Sequence, residues 1–260
     1  MTGPVTIGAL RVLEHHLTVY RRTWKGSVFM SFLSPVLFLA AMGLGLGSLI
    51  SRGPSRTVDG LSYLVFLAPG LLAASAMQSA YVETTYPIMA RIQWQRTYEG
   101  MLATPIAVLD VLAGELGWLT LRLALGSSAF FIVMLLFGTI HSVMAPLAIL
   151  AAILTGLAFA APILAWTATR RTDQSFALIG RFVITPLFLL GGVFFPLRQL
   201  PHLVQGIAWV TPLAHGVALA RSASLGVLAP SDGIHLAVLL LYAAIGIATA
   251  RITLQRRLVL

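Results

Sequence analysis

Residues 143–166 read VMAPLAILAAILTGLAFAAPILAW, a stretch without a charged side chain. A helix rises ~1.5 Å per residue, so about 20 apolar residues cross a hydrocarbon core ~30 Å thick. Five other stretches are comparably long and apolar. They are 28–50, 61–82, 106–138, 176–195 and 234–250. The pattern predicts an all-α integral membrane protein whose single domain, 1–260, has six transmembrane helices.

The composition excludes several other classes of protein. Hydrophobic residues make up 58% of the chain and charged residues only 10%, which is more apolar surface than a soluble domain could bury. Cysteine is absent, so disulfides, thiolate metal sites and thiol catalysis are excluded. The sequence contains no GxxxxGK[ST], HExxH or GxSxG motif. We therefore expect no ATPase site, no enzymatic activity, and neither a metal nor another cofactor in this chain.

The basic residues predict the orientation of the chain in the membrane. They flank the apolar stretches instead of forming an aromatic–basic array, which argues against a nucleic-acid partner despite the net charge of +9. The side that carries the N-terminus holds most of them, namely Arg11, Arg21, Arg22, Lys25, Arg91, Arg96, Arg170, Arg171, Arg251, Arg256 and Arg257. The opposite side holds Arg52, Arg56, Arg198 and Arg221. The positive-inside rule then places both termini in the cytoplasm.

The segment 1–27 is predicted to form an amphipathic helix at the membrane surface. Its apolar residues recur every three or four positions, and they are Ile7, Leu10, Leu13, Leu17, Tyr20 and Trp24. The opposing basic stripe includes Arg11, Arg22 and Lys25. Such a helix lies among the lipid headgroups. It is either a plain topology anchor or an elbow helix that also contacts a cytoplasmic partner.

The segment 83–105, ETTYPIMARIQWQRTYEGMLATP, is the main predicted cytoplasmic loop. Pro87 and Pro105 bracket a stretch that can form a helix, since proline is tolerated at helix ends. A helix of mixed polarity at this position is a candidate docking element for a cytoplasmic partner. The candidate contact residues are Trp94, Arg96, Thr97, Tyr98 and Glu99.

Four charged residues, Asp110, Glu115, Arg122 and Arg181, fall inside predicted spans. Glu115 and Arg122 are two helical turns apart and share a face, and charges at this depth are usually paired or placed in water. Alternatively, since 106–138 would be ~50 Å long as one helix, its first third lies in the interface and both Asp110 and Glu115 are partly wet. Arg181 is explained by snorkelling of its long stem towards the cytoplasmic side.

The segment 194–233 is apolar, but several prolines interrupt it. Its pieces 199–210 and 213–226 are too short to cross a bilayer, which predicts two short re-entrant helices on the outer face. The segment is either an outer gate plugged by its aromatic pair or a passive cap over the helix ends. The candidate gate residues are Phe194, Phe195, Pro196, Pro201 and Pro212.

Taken in this order, three short stretches resemble the membrane subunit of a type-2 ATP-binding-cassette (ABC) exporter. They are RTYEGMLATP at 96–105, GGVFFPL at 191–197, and WVTPL at 209–213 followed by Arg221. Two further stretches, LAPGL at 67–71 and ASAMQ at 74–78, look closest to nodulation-factor and anthracycline exporter subunits.

The resemblance implies a dimer of such subunits in a bacterial inner membrane, surrounded by lipid and joined by cytoplasmic ATPase subunits that bind ATP and Mg. The ATPase contact would lie in 83–105, and the dimer would bury the first span, the fifth span or both. Gly43 and Gly47 either line that interface or only pack helices within one chain. The substrate would be an amphipathic drug, a glycolipid or a polysaccharide.

Two other functions compete with this interpretation. A stand-alone channel or secondary carrier would need charged sites at the midplane of the membrane, and the spans are poor in them. A membrane-embedded enzyme that acts on lipid would need an acid–base pair, and none is evident in the sequence.

Overall fold

The computed structural model describes residues 5–46 and 57–259. Within these ranges the chain forms helices, one isolated β-bridge between Val58 and Leu61, and no strand. The helices are α1 Val5–Leu39, α2 Tyr63–Thr84, α3 Tyr86–Met89, α4 Thr97–Leu102, α5 Val108–Leu136, α6 Leu147–Ala168, α7 Gln174–Ile179, α8 Thr185–Leu190, α9 His202–Val210, α10 Pro212–Leu225 and α11 Ser231–Leu258. Wider π-helical turns follow α1, α3 and α7, at Ala40–Leu46, Ala90–Trp94 and Gly180–Ile184. Gly47, Arg52 and Arg56 lie outside the described residues.

Five helical segments of the described ranges are long and apolar enough to cross a membrane. They are Ile7–Gly43, Tyr63–Trp94, Val108–Leu136, Leu147–Ala168 and Ser231–Leu258. The remaining predicted span, 176–195, corresponds to a shorter apolar helix, Gln174–Leu190, which rises only about 25 Å. The all-α, multi-pass prediction is confirmed, whereas the count of six spans stays a prediction.

No break separates the predicted surface helix from the first span. Residues 5–27 are the first part of α1, which is 35 residues long and therefore rises about 52 Å. Pro35 lies inside α1 without ending it. Since α1 is longer than a ~30 Å hydrocarbon core, its N-terminal turns extend beyond the apolar part of the membrane.

The centre of the bundle is formed by α2 and α6, which pack on each other and on α10. Small residues allow these close approaches: a side chain at Gly216 of α10 would overlap Thr155 of α6, and one at Gly246 of α11 would overlap Pro162. In the most apolar window of α2, 72% of the residues are buried, against 11% in that of α1. Much of α1 is therefore left without a partner inside the chain.

Residues 202–225 form the two short helices that the prolines predicted. Pro201 precedes α9 and Pro212 is the first residue of α10. The backbone N–H at the start of a helix has no partner within the helix, so a proline, which has no N–H, is well tolerated there. The two helices meet at a bend of 84°. Most of α10 is buried against α2, α6 and α11, whereas Ala208 is the buried residue of α9. Their depth in a membrane stays a prediction.

The helices define two ends of the bundle. We call the end that carries residues 85–107 the loop end, where α1 and α5 begin and α2, α6 and α11 finish. We call the end that carries α9 the far end.

Candidate functional site

Glu115 of α5 lies at the centre of a buried charged cluster at the loop end. Its side chain has no exposed surface, and its Oε2 accepts a hydrogen bond of 2.9 Å from Nη1 of Arg91. Its Oε1 lies 2.8 Å from Nε2 of His16 in α1. Because a buried carboxylate persists only when it is paired, Glu115 ties together α1, α5 and the turn that follows α3. The expectation that Glu115 is partly wet is wrong.

Tyr98 of α4 completes this cluster, which we call the Glu115 cluster: His16, Arg91, Tyr98 and Glu115. The Tyr98 side chain is 1% exposed, and its phenol lies close to both Glu115 and Arg91. Burial, together with the nearby carboxylate, raises the pKa of the Tyr98 phenol well above its usual value. The phenol therefore keeps its proton at physiological pH, and the buried side chain packs the loop helix α4 against α5.

The cluster forms because α1 lies very close to α5. A side chain at Gly114 of α5 would have its Cβ 2.5 Å from Cβ of Val12, and one at Gly8 would overlap the Asp110 carboxylate. Asp110 is itself buried, and its Oδ2 accepts a hydrogen bond of 2.9 Å from the backbone N–H of Ala107. It thereby satisfies a free donor at the start of α5. Glycine on both helices thus permits the contact that buries His16.

Arg122 has partners of its own and does not pair with Glu115. Its Nη2 lies 2.8 Å from Oε1 of Glu83 in α2, and its Nη1 donates a hydrogen bond of 2.9 Å to Oγ of Ser27 in α1. The guanidinium also lies 5.3 Å from the ring centre of Tyr20. Two turns separate Glu115 from Arg122 by about 10 Å along the axis, so each finds a nearer partner on another helix.

The predicted docking segment is two short helices and not one. Arg96 adopts a left-handed backbone conformation, with a φ of 52°, and separates the turn after α3 from α4. Trp94, Arg96 and Glu99 are exposed, and Arg96 Nη1 lies 3.8 Å from Glu99 Oε2. Thr97 is half-buried. The prediction that Tyr98 contacts a cytoplasmic partner is wrong, because its side chain is buried and has no surface for a partner.

The face of the N-terminal segment that packs inside the chain differs from its apolar stripe, which was predicted to face the membrane. Ile7 is 52% and Leu10 57% exposed, whereas Val12 is 0% and His16 4% exposed. Sequence reasoning missed His16, because it considered only the membrane-facing apolar stripe and the opposing basic stripe. The available signal was the four-residue spacing of Gly8, Val12 and His16, which places the three on one helix face, where a glycine allows another helix to come close.

The other predicted charged residues lie on the surface of the chain. Arg11, Arg22 and Lys25 of α1 are exposed, as the basic stripe predicted. Arg181 is exposed on the turn between α7 and α8, so its long side chain is free to extend along the helix.

At the far end, Phe194 joins two helices. Its ring lies 5.0 Å from that of Phe188 in α8 and 6.5 Å from that of Phe38 in α1. Phe195 is half-buried and Pro196 is buried. The aromatic pair is thus packed at the point where α8 leads into the far-end segment, and its role as a gate stays a prediction.

Sequence reasoning missed two clamps at the far end. Nη2 of Arg221 in α10 donates to the Gly192 carbonyl at 3.0 Å, and its guanidinium lies 3.9 Å from the ring centre of Phe66 in α2. His215 of α10 and His235 of α11 meet with their Nδ1 atoms 2.7 Å apart. These contacts hold α10 in the bundle, and they depend on residues far apart in sequence.

The Glu115 cluster connects the loop to α1 and α5. Within residues 5–46 and 57–259 there is no group of three or more His, Cys, Asp or Glu side chains that could hold a metal ion. The Glu115 carboxylate faces Arg91 and His16 and is closed to solvent. An exposed loop, a buried ionic contact and two long helices therefore form one continuous unit at the loop end.

The long apolar helices of the described residues make the chain a helical multi-pass membrane protein. Residues 12–225 match the ABC-2 type transporter family. The chain belongs to this family and is an ABC-2 permease, which confirms the family that the sequence resembled.

Individual relatives match along most of the chain. Nodulation protein J of Rhizobium leguminosarum bv. viciae is 36% identical over 249 residues, which cover 93% of this chain and 94% of that protein. Nodulation protein J of Rhizobium meliloti (strain 1021) is 34% identical over 249 residues, 93% of each chain. The inner membrane transport permease YadH of Escherichia coli (strain K12) is 27% identical over 214 residues, 80% of this chain and 79% of that protein.

Proposed function

We propose that this chain is the transmembrane subunit of an ATP-driven exporter, that it forms the translocation path as a dimer, and that separate cytoplasmic ATPase subunits drive it. ATP and Mg would bind to the ATPase and not to this chain. The observation that carries the proposal is the connection from the exposed loop residues to Glu115. A permease moved by a separate motor needs a surface for the motor and a stiff link from that surface to its helices.

The loop has both parts of such a link next to each other. Arg96 and Glu99 are exposed, while Tyr98 between them is buried near Glu115 and the preceding Arg91 is bonded to Glu115. Displacement of this loop by a partner would move Arg91, and through Glu115 it would move α5 and α1. Because breaking a buried ion pair costs about 3–5 kcal/mol, the cluster transmits such a displacement more readily than it breaks.

The loop end is proposed to face the cytoplasm of a bacterial inner membrane. The last turn of α11 at this end carries Arg256 and Arg257, and the exposed Arg11 and Arg22 of α1 lie here as well. Basic residues concentrate on the cytoplasmic side of membrane proteins.

The central test is copurification of the tagged chain from native membranes. We expect an ATPase subunit to copurify and to hydrolyse ATP, and the chain freed of it to show no hydrolysis, because phosphoryl transfer needs a phosphate cradle and metal ligands. A cysteine at Thr97, in a chain without others, should crosslink to that ATPase. Hydrolysis by the isolated chain, or substrate transport by it without ATP, would contradict the proposal and favour a stand-alone carrier.

Variants of the loop surface sharpen this test. Glu99→Ala and Arg96→Ala should lower ATP-driven transport by about tenfold, the effect of losing an interface contact worth ~1.4 kcal/mol, while insertion into the membrane is unchanged. Arg198→Ala is the matched control, since Arg198 is also an exposed, ion-paired residue but lies at the far end beside Asp59. Equal losses of transport in all three variants would argue against a specific contact at the loop.

The second copy is proposed to pack on α1 and on Gln174–Leu190, which leave large apolar surfaces free. Phe182 is 73% exposed and Phe29 61%. Gly43, by contrast, faces Leu64 of α2 within the chain, which favours the packing role for it. A cysteine at Phe182 should crosslink to its copy in native membranes, and one at Ile245 of α11, 56% exposed, should not. Crosslinking at position 245 alone would place the dimer interface on α11 instead.

A further inference from the structure

A cavity of about 580 Å³ opens between α1, α2 and α5 of a single chain. Pockets of ~300–1,000 Å³ accept drug-sized ligands. Phe188 of α8 also borders the cavity. It extends from the Arg122–Glu83 pair near the loop end towards the rings near the far end. It is distinct from the Glu115 cluster, none of whose members lines it.

The cavity is rich in hydroxyl groups, which come from three helices. The serines that line it are Ser27, Ser31, Ser34, Ser75, Ser79 and Ser127, and Gln78 adds a side-chain amide. Ser31 donates its hydroxyl hydrogen to the Ser27 carbonyl at 2.9 Å, and Ser75 donates to the Leu72 carbonyl at 2.9 Å. A serine that donates to its own helix keeps oxygen lone pairs for another partner. The cavity therefore presents uncharged hydrogen-bonding groups, and Ser31 and Ser75 offer acceptors to whatever fills it.

The charges of the cavity are already paired. Glu83 and Arg122 are the charged residues among those that line it, and they lie 2.8 Å apart. Nη1 of Arg122 also donates a hydrogen bond to Oγ of Ser27. A charged ligand would enter without a counter-charge, and burying an unpaired charge is strongly unfavourable.

The part of the cavity nearer the far end is apolar. Phe38, Phe130 and Phe188 line it, and Met30 and Leu123 add apolar surface beside the polar groups. Aromatic and thioether side chains favour an alkyl or aromatic group. The cavity as a whole thus has a hydroxyl-lined part whose charges are paired and an apolar part.

The geometry points to a substrate subsite that selects uncharged amphiphiles with a hydrogen-bond-donating head, such as a sugar or a primary amide. The head lies against the serines of α1 and α2, and the apolar part lies among the three phenylalanine rings. The inference rests on the proposed export function for its biological meaning. It adds that each chain carries its own selective site, in addition to any path between two copies.

The test uses the chain in lipid nanodiscs and three photoreactive probes with the same diazirine-bearing octyl chain: octyl glucoside, octyl sulfate and octyltrimethylammonium. We expect the glucoside to label peptides from 26–38, 71–83 and 119–130 saturably. The charged probes should label them at least about tenfold more weakly, because their charge has no partner there. Equal labelling by all three probes, or labelling that unlabelled octyl glucoside does not compete away, overturns the inference.

Serine variants separate hydrogen bonding from general partition into the membrane. The double variant Ser31→Ala, Ser75→Ala should weaken glucoside labelling about tenfold, as expected for two lost hydrogen bonds. If that variant does not fold, the double variant Ser34→Ala, Ser79→Ala serves as a second pair. Ser128→Ala is the matched control, because Ser128 neighbours Ser127 on α5 without lining the cavity. Wild-type labelling in the double variants overturns the inference.

The same preparation distinguishes failure of the subsite from failure of the export function. Loss of selective labelling while an ATPase subunit still copurifies overturns the subsite alone. Selective labelling of a chain that binds no ATPase supports the subsite and contradicts the export function.

Discussion

Glu115→Ala is expected to lower the apparent free energy of unfolding by about 3–5 kcal/mol, because it leaves Arg91 and His16 facing each other in a buried site without a carboxylate. The effect is large since Glu115 is fully buried and contacts residues from two other elements. Thermal unfolding in detergent measures stability. Trypsin cleavage after Arg91 or Arg96 should also become faster, as α4 loses its attachment.

Glu99→Ala is the matched control, because Glu99 is a glutamate of the same end whose side chain is 56% exposed. An exposed ion pair contributes little, so its loss should change stability by less than about 1 kcal/mol. Glu115→Gln keeps the shape and removes the charge, and it should be intermediate. If Glu115→Ala unfolded no more easily than Glu99→Ala, the cluster would not hold the loop end together.

Gly114→Ala is expected to separate α1 from α5, whereas Gly117→Ala is expected to be harmless. A Cβ at Gly114 would lie 2.5 Å from Cβ of Val12 and 2.9 Å from the Ala9 carbonyl oxygen, which is backbone and cannot rotate away. At Gly117 the nearest atoms are Leu13 methyls at 4.0 Å. Overpacking costs about 1–3 kcal/mol, and alanine gains up to ~1 kcal/mol over glycine in a helix at both sites.

The measurement combines unfolding with a distance probe. Cysteines introduced at Leu13 and Gly117 should form a disulfide readily in the otherwise unchanged chain and slowly when Gly114→Ala is added. Gly126→Ala is a further control, because nothing lies within 4 Å of its Cβ position. Unchanged crosslinking in the Gly114 variant would mean that α1 has room to shift without leaving α5, and that His16 is not held by close helix approach.

Much of the fold was predictable because membrane insertion is decided locally. Whether a stretch such as 143–166 crosses a bilayer depends on its own length and polarity, and the same holds for the surface position of Arg11 and Arg22. The prolines at 201 and 212 likewise set the start of α9 and α10 by the geometry of their own residues. The predicted span 176–195 corresponds to the helical stretch Gln174–Leu190, whose length falls just below that of a span.

The candidate site was only half predictable for a related reason. Exposure of Arg96 and Glu99 follows from the polarity of the loop. The burial of Tyr98 and His16 does not, because each is polar, and each is buried only by a partner distant in sequence. No local pattern indicates that Arg91 and Glu115, 24 positions apart, face each other.

The sequence alone therefore determined the class of protein, the approximate spans, the position of the loop 83–105 and the family resemblance, all of which depend on short-range polarity or short motifs. The tertiary structure alone decided the partners of the buried charges. Glycines on α1 and α5 bring two helices close enough to exclude water. In that dry space Glu115 pairs with Arg91 and His16, while Arg122, two turns further along α5, pairs with Glu83. Pairing in a low-dielectric interior depends on distances between segments that the linear sequence does not specify.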